Sequence, residues 1–230
     1  MSTVTHPIVL AFHGTRHPDG EPTAHAIAAA VSQELGGAQV HVAWVDLHRE
    51  LLHDFLPTVG PCTVVPCFLA AGFHVTHDVA SAAAASPYPV TVTPHLGARE
   101  SLCGVLAALS GRIAEAGGPG DALVLAAIGS RMAAAQAEID AVAVRLADLW
   151  NVPVRPGFIF SGQPQVAAVA DDLRTDGHRD LLMVPYTIAP GLFGERLRGL
   201  TPRLTAPLGP HPALVSAIAA RVAPRIGVGV

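Results

Sequence analysis

The chain is written nearly twice over. The stretch "DALVLAAIGSRM" repeats "PIVLAFHGTRH", with Gly14 over Gly129 and Arg16 over Arg131. "LLMVPYTIAPGLFGERL" repeats "TVVPCFLAAGFHVTHDV", with Pro66 over Pro185 and Gly72 over Gly191. "APLGPHPAL" repeats "PHLGARESL", with Leu96 and Gly97 over Leu208 and Gly209. Three matches in the same order, each roughly 112–119 residues apart, mark an internal duplication. The break between the copies is "AGGPGDA" at 116–122, whose glycines, proline and aspartate read as a linker. Two lobes are therefore expected, over residues 1–118 and 121–230.

Within a copy, strand and helix patterns alternate. "PIVLAFHG" is a continuous apolar run, as in a strand buried on both faces. "AHAIAAAVSQELGG" follows as a helix closed by glycines, and "AQVHVAWVDLH" as a second strand. "RELLHDFLPTVG" reads as a short helix and "CTVVPCFLAAG" as a third strand. "HVTHDVASAAAAS" opens a helix, "YPVTVTPHLG" is a fourth strand, and "ARESLCGVLAALSGRIAEAG" a final helix. Such alternation predicts right-handed βαβ units, so the fold class is α/β: two similar lobes, each a small parallel sheet flanked by helices, with a cleft between them.

Composition narrows the class of function. Half of the 230 residues are apolar and 14% are charged, which supplies a core and excludes a disordered chain. No apolar run reaches the ~20 residues of a membrane helix, so no membrane partner is expected. "MSTVTHPIVLAFHGT" has neither a basic leader nor a cleavage site, which predicts a cytoplasmic protein. A net charge of −4 gives no nucleic-acid footprint. All 14 basic residues are arginines, side chains suited to bidentate capture of carboxylates. The three cysteines, Cys62, Cys67 and Cys103, form no CxxC pair and read as free thiols.

The two copies differ where chemistry would sit. His13 lies over Ile128, His74 over Phe193, and Asp46 over Phe160, while the surrounding glycines and prolines are kept. This is the pattern of one functional and one structural half. His13 ends the first strand, Asp46 the second, and His74 follows the third. In open parallel sheets ligands bind beyond the carboxyl ends of the strands, so the three side chains are expected at one edge. Imidazoles with a carboxylate suit Fe, Co, Ni or Zn, and a histidine can take up a proton near neutral pH. His13 and His17 imitate a helical HxxxH pair, but Pro18 and Gly20 argue against a helix there. His77 is expected in the first turn of a helix near the cleft, with no role assigned. "HGTR" lacks the arginine that precedes the histidine in histidine phosphatases, and "GTRHPDG" is no phosphate loop.

Taken together, "LAFHGTRHP" and "VPCFLAAGFHVTHDV" resemble the two signatures of the cobalt and sirohydrochlorin chelatases, the CbiX/SirB group. "WVDL" stands where that family carries an acidic residue, more often glutamate. "VPYTIAPGLFGERL" is similar to the degenerate copy of its long, two-lobed members. The resemblance spans nearly the whole chain. It implies a class II chelatase fold and insertion of a divalent metal, Fe²⁺, Co²⁺ or Ni²⁺, into a sirohydrochlorin-type tetrapyrrole, without ATP or an organic cofactor. It implies His13 as metal ligand and proton acceptor, His74 as second metal ligand, and Asp46 as the carboxylate facing metal or macrocycle. Leu69, Ala70, Ala71, Gly72 and Phe73 would line the macrocycle site. The substrate's carboxylates call for cationic walls, with Arg16 the first candidate and Arg49 and Arg131 next by position. Two lobes in one chain can replace a homodimer of single lobes, so a monomer fits. Two other readings use the same residues: a tetrapyrrole or metal carrier with this cleft, and a two-lobed small-molecule binding protein.

Overall fold

The computed structural model describes residues 6–99 and 102–222, without the side chains of His74 and Glu195. The strands form two four-stranded sheets, every pair within them parallel. The first contains β1 (Ile8–Phe12), β2 (Val40–Trp44), β3 (Cys62–Pro66) and β4 (Val90–Val92), in the order β2-β1-β3-β4. The second repeats that order with β5 (Ala122–Gly129), β6 (Val154–Ser161), β7 (Leu181–Pro185) and β8 (Arg203–Leu204) as β6-β5-β7-β8. The register repeats too: Ala11 pairs with Pro66, and Ala126 with Pro185.

The central strands show why the apolar runs are continuous. Successive side chains of a strand point to opposite faces, and here both faces are covered. Ile8, Leu10 and Phe12 enter one core with Leu123, Leu125 and Ala127 of β5. Val9 and Ala11 face outward onto α2 (Leu52–Val59) and α3 (Ala80–Ala85). Ala122, Val124 and Ala126 face α6 (Val166–Thr175) and α7 (Phe193–Arg198). Burying an Ile8 or a Leu10 completely is worth about 1.5–3 kcal/mol each.

The layer shared by the two sheets is made of α1 (Gly20–Glu34), α4 (Leu102–Glu115), α5 (Ala133–Trp150) and α8 (Pro212–Val222). Here sequence halves and spatial lobes part company. Helix α8 belongs to the second copy but packs on α1, α4 and β3 of the first, while α4 touches α5. The close crossing of α4 and α8 depends on glycine. A Cβ on Gly104 would strike Ala217, and one on Gly111 would strike the His211 ring. The linker turns through Gly117, Gly118 and Gly120, all at positive φ, a conformation glycine adopts without steric cost. No helix of the described residues is long and apolar enough to cross a membrane.

Candidate functional site

The carboxyl ends of the central strands of both sheets open into one cavity of about 700 Å³. From the first copy its lining includes Phe12, His13, Arg16, Trp44, Leu69 and Phe73. The opposite wall comes from the second copy and is almost wholly apolar, with Ile128, Phe160, Leu192 and Phe193. Arg196 lies with its guanidinium 4.7 Å from the centroid of the Phe160 ring.

His13 reaches the cavity because the chain turns sharply after β1. Gly14 has φ +101°, and a Cβ there would run into the Asp46 carbonyl. Gly129 occupies the same position after β5, with φ +103° and the Ser161 carbonyl in the same place. His13 is half-buried, with Nδ1 3.1 Å from the Gly14 carbonyl oxygen. Residues 15–19 form a loop, as Pro18 requires: Thr15 Oγ1 accepts the His17 N–H, and His17 Nδ1 accepts the Asp19 N–H. Helix α1 starts only at Gly20.

Asp46 lies just beyond β2, and its N–H donates to the His13 carbonyl at 2.9 Å. Its side chain is exposed and does not line the cavity; Oδ1 accepts the Leu47 N–H at 2.7 Å. The alignment of Asp46 with Phe160 shifts by one residue. Strand β6 carries a bulge opposite 127–129, so Gly129 pairs with Ser161, which takes the place of Asp46. Phe160 is the residue the bulge turns out into the cavity.

The third strand ends earlier than expected, at Pro66, and residues 67–73 form a turn. Leu69, Ala70, Gly72 and Phe73 of that turn line the cavity; Ala71 does not. The Gly72 carbonyl receives the N–H groups of Val75 and Thr76, which starts a π-helical turn over His74–Val79 leading into α3. His74 thus opens a helix at the cavity's edge, but its side chain lies outside the described residues. Phe73 is 57% exposed and stacks on His77, their centroids 4.8 Å apart. Arg16 lines the cavity; Arg49 and Arg131 do not. Among the described residues, no group of three His, Cys, Asp or Glu side chains is placed to hold a metal ion.

Two cavity residues are held neutral. Burial pushes the Cys67 thiol far above its ordinary range, against the opposing pull of Arg221. Burial, with the Glu138 carboxylate adding to it, raises the Tyr186 phenol, which stays a hydrogen-bond donor. Its Oη donates to the Leu69 carbonyl at 2.8 Å. Sequence reasoning missed Tyr186 and Glu138. The only available signal was that Tyr186 stands over Cys67 in the duplication.

The CbiX family model matches residues 7–116 and again 122–225. No curated protein matches the sequence. Among solved structures, SirB from Bacillus subtilis with Fe³⁺ superposes with a TM-score of 0.74 at 21% identity, covering 94% of this chain and 93% of that one. SirB from Bacillus subtilis subspecies spizizenii in complex with cobalt gives 0.75 at 19%, with the same coverage. CbiX, described as the terminal enzyme for biosynthesis of siroheme in denitrifying bacteria, gives 0.70 at 22%, covering 94% of this chain and 97% of that one. At these identities the likeness is one of fold.

Proposed function

This chain belongs to the CbiX family, and from that premise we propose that it inserts a divalent metal, Fe²⁺ or Co²⁺, into a sirohydrochlorin-type tetrapyrrole without ATP. The observation that carries the reading is the cavity itself. It lies at the carboxyl ends of both sheets, with an imidazole on one wall and exposed apolar side chains on the other. A flat macrocycle has apolar faces and an anionic rim. Ile128, Phe160 and Leu192 suit the face, and Arg16 suits the rim.

Insertion exchanges two pyrrole N–H protons for one M²⁺, so two protons must leave the ring. His13 hands over the metal and, its nitrogen freed, accepts one of the protons while the other passes to water; His74 is the second ligand. A neutral imidazole serves either task near pH 7. We assign Asp46 to balancing the cation's charge as it sheds water. Asp46 lies at the same sheet edge, its N–H donating to the His13 carbonyl, with its carboxylate exposed outside the cavity lining.

The test is an anaerobic assay of purified protein with sirohydrochlorin and Fe²⁺, Co²⁺ or Ni²⁺ in turn, followed by the shift of the macrocycle's absorption band. Acceleration over the protein-free rate that disappears in His13→Ala and in His74→Ala is the expected result. A ring that binds while metal enters at the protein-free rate would leave a carrier instead.

A further inference from the structure

Within its own lobe the turn 69–73, which precedes His74, is held by the Gly72 N–H to the Ala70 carbonyl and by the Gly72 carbonyl, which receives the Val75 and Thr76 N–H groups. Two other polar groups of the turn are taken by the second copy. The Leu69 carbonyl accepts the Tyr186 hydroxyl at 2.8 Å. The Ala71 N–H donates to Glu138 Oε2 at 2.7 Å. The same carboxylate oxygen lies 3.2 Å from Nε2 of the buried His95. An ionised carboxylate can only accept, so the proton of that contact sits on Nε2. The backbone here is tied in turn, since Arg221 Nη2 of α8 donates to the His95 carbonyl at 3.4 Å and to the Leu96 carbonyl at 3.0 Å.

The duplication tells what this grip is for. Buried Gly20, Ala24, Ile27, Ala28 and Val31 of α1 lie over buried Ala135, Ile139, Val142, Ala143 and Leu146 of α5. Glu138 therefore lies over Thr23, whose hydroxyl turns back onto the Asp19 carbonyl. Ala71 lies over Pro190, which has no N–H to donate. His95 lies over Pro207, and Tyr186 over Cys67. None of these four counterparts can build the same contact in the opposite direction. A contact kept only for cohesion of the lobes has no reason to choose a side. This one runs from the second copy onto the single turn that leads into His74.

We infer that Glu138 and Tyr186 are positioning residues, by which the second copy holds the turn 69–73, and through it His74, in the geometry that metal insertion needs. This rests on the chelatase reading above. Groups that orient metal-binding side chains from behind typically matter by about 10–100-fold in metal affinity or activity.

Three variants of the full chain test it: Glu138→Ala, Glu138→Gln and Tyr186→Phe. Glutamine keeps an oxygen that can accept the Ala71 N–H; alanine removes it. Hydrogen exchange, a Co²⁺ titration read by visible absorption, and the insertion rate are measured on each. In Glu138→Ala the peptides covering 68–79 exchange faster while those of β1 and β5 do not. Its Co²⁺ affinity and kcat fall about 10–100-fold, and Glu138→Gln recovers most of both. Tyr186→Phe speeds exchange over the same peptides. Wild-type exchange over 68–79 in Glu138→Ala overturns the inference. So does faster exchange across the whole chain with no recovery in Glu138→Gln. Loosening confined to 68–79 in a protein whose wild type inserts no metal upholds the grip and sinks the chelatase reading alone.

Discussion

Replacing Gly14 and Gly129 by alanine, one at a time, separates backbone strain from function. Both follow a central strand, at φ +101° and +103°, and in both a Cβ would enter a backbone carbonyl, that of Asp46 or of Ser161. An L-residue at such a φ costs about 1–3 kcal/mol. The obstacle is main chain at a sheet edge and cannot swing aside as a side chain would, which adds overpacking of about 1–3 kcal/mol. Each variant should therefore lose roughly 2–6 kcal/mol. At about 2–4 °C per kcal/mol for a chain of this size, Tm falls by about 5–20 °C. Urea melts should shift in midpoint with little change in slope. The consequences for insertion should differ. The Gly14 turn carries His13 and touches Asp46, while the Gly129 turn carries Ile128 and touches Ser161. At a temperature where both variants are folded, kcat should fall at least about tenfold further in Gly14→Ala than in Gly129→Ala. Equal losses of kcat would refute the assignment of the chemistry to the first copy. Unchanged stability in both would refute the steric argument.

Three further outcomes are expected. A thiol reagent at pH 8 should modify Cys103, which is exposed, well before Cys62 and Cys67, whose burial raises both thiols; fast reaction of Cys67 would contradict its placement. Phe73→Ala should raise KM for the macrocycle about tenfold through lost ring contact while leaving Tm nearly unchanged, because Phe73 is already largely exposed; a large fall in Tm would show it to be core. Asp121 holds the N–H groups of Arg179 and Asp180 at 2.7 and 3.1 Å, the first being the main cause that lowers its pKa below the ordinary carboxylate range. A lowered folded pKa gives stability that is complete above the unfolded value, near pH 4, and is lost as pH falls through the folded one. The stability gap between wild type and Asp121→Asn should thus be constant above about pH 5 and close toward pH 2; a gap unchanged down to pH 2 would exclude this role.

Features set by local pattern and by repetition were legible in the sequence. The duplication matched β1 with β5 and β3 with β7 as counterparts, and their sheet registers recur with the glycines and prolines that mark them. What depends on contacts between distant parts of the chain was not legible. Strand β3 reads as running on to Gly72, yet its ladder with β1 ends at the Ala11–Pro66 pair and the chain turns away, a stop set by tertiary pairing. The bulge in β6 shifted Asp46 from Phe160 to Ser161, because an extra residue in one strand leaves no mark in composition. The crossing of α8 onto the first sheet is recorded only in Gly104 and Gly111, which read as ordinary helix residues. Nothing in the sequence around Glu138 singles it out, because its partners Ala71 and His95 lie in the other half of the chain.

The second copy is poorly described as decayed. A half released from function is expected to keep its core and let its surface drift toward polar residues. This one instead exposes Ile128 at 44%, Phe160 at 51% and Leu192 at 62%, all on one wall of the cavity. Contiguous exposed apolar side chains mark a surface that meets a ligand. The bulge in β6 supports the same view, since Phe160 beside it lines the cavity, whereas Asp46 of the first copy does not. On the proposed reaction the two walls divide the work. The first copy handles metal and protons with His13 and His74. The second binds the face of the ring and, through Glu138 and Tyr186, steadies the turn from which His74 acts. Restoring polarity on that wall, as in Ile128→Ser with Leu192→Ser, should weaken ring binding by about tenfold or more for the lost apolar contact, with His13 and its turn untouched. Ring affinity equal to wild type would return the second copy to the role of a scaffold.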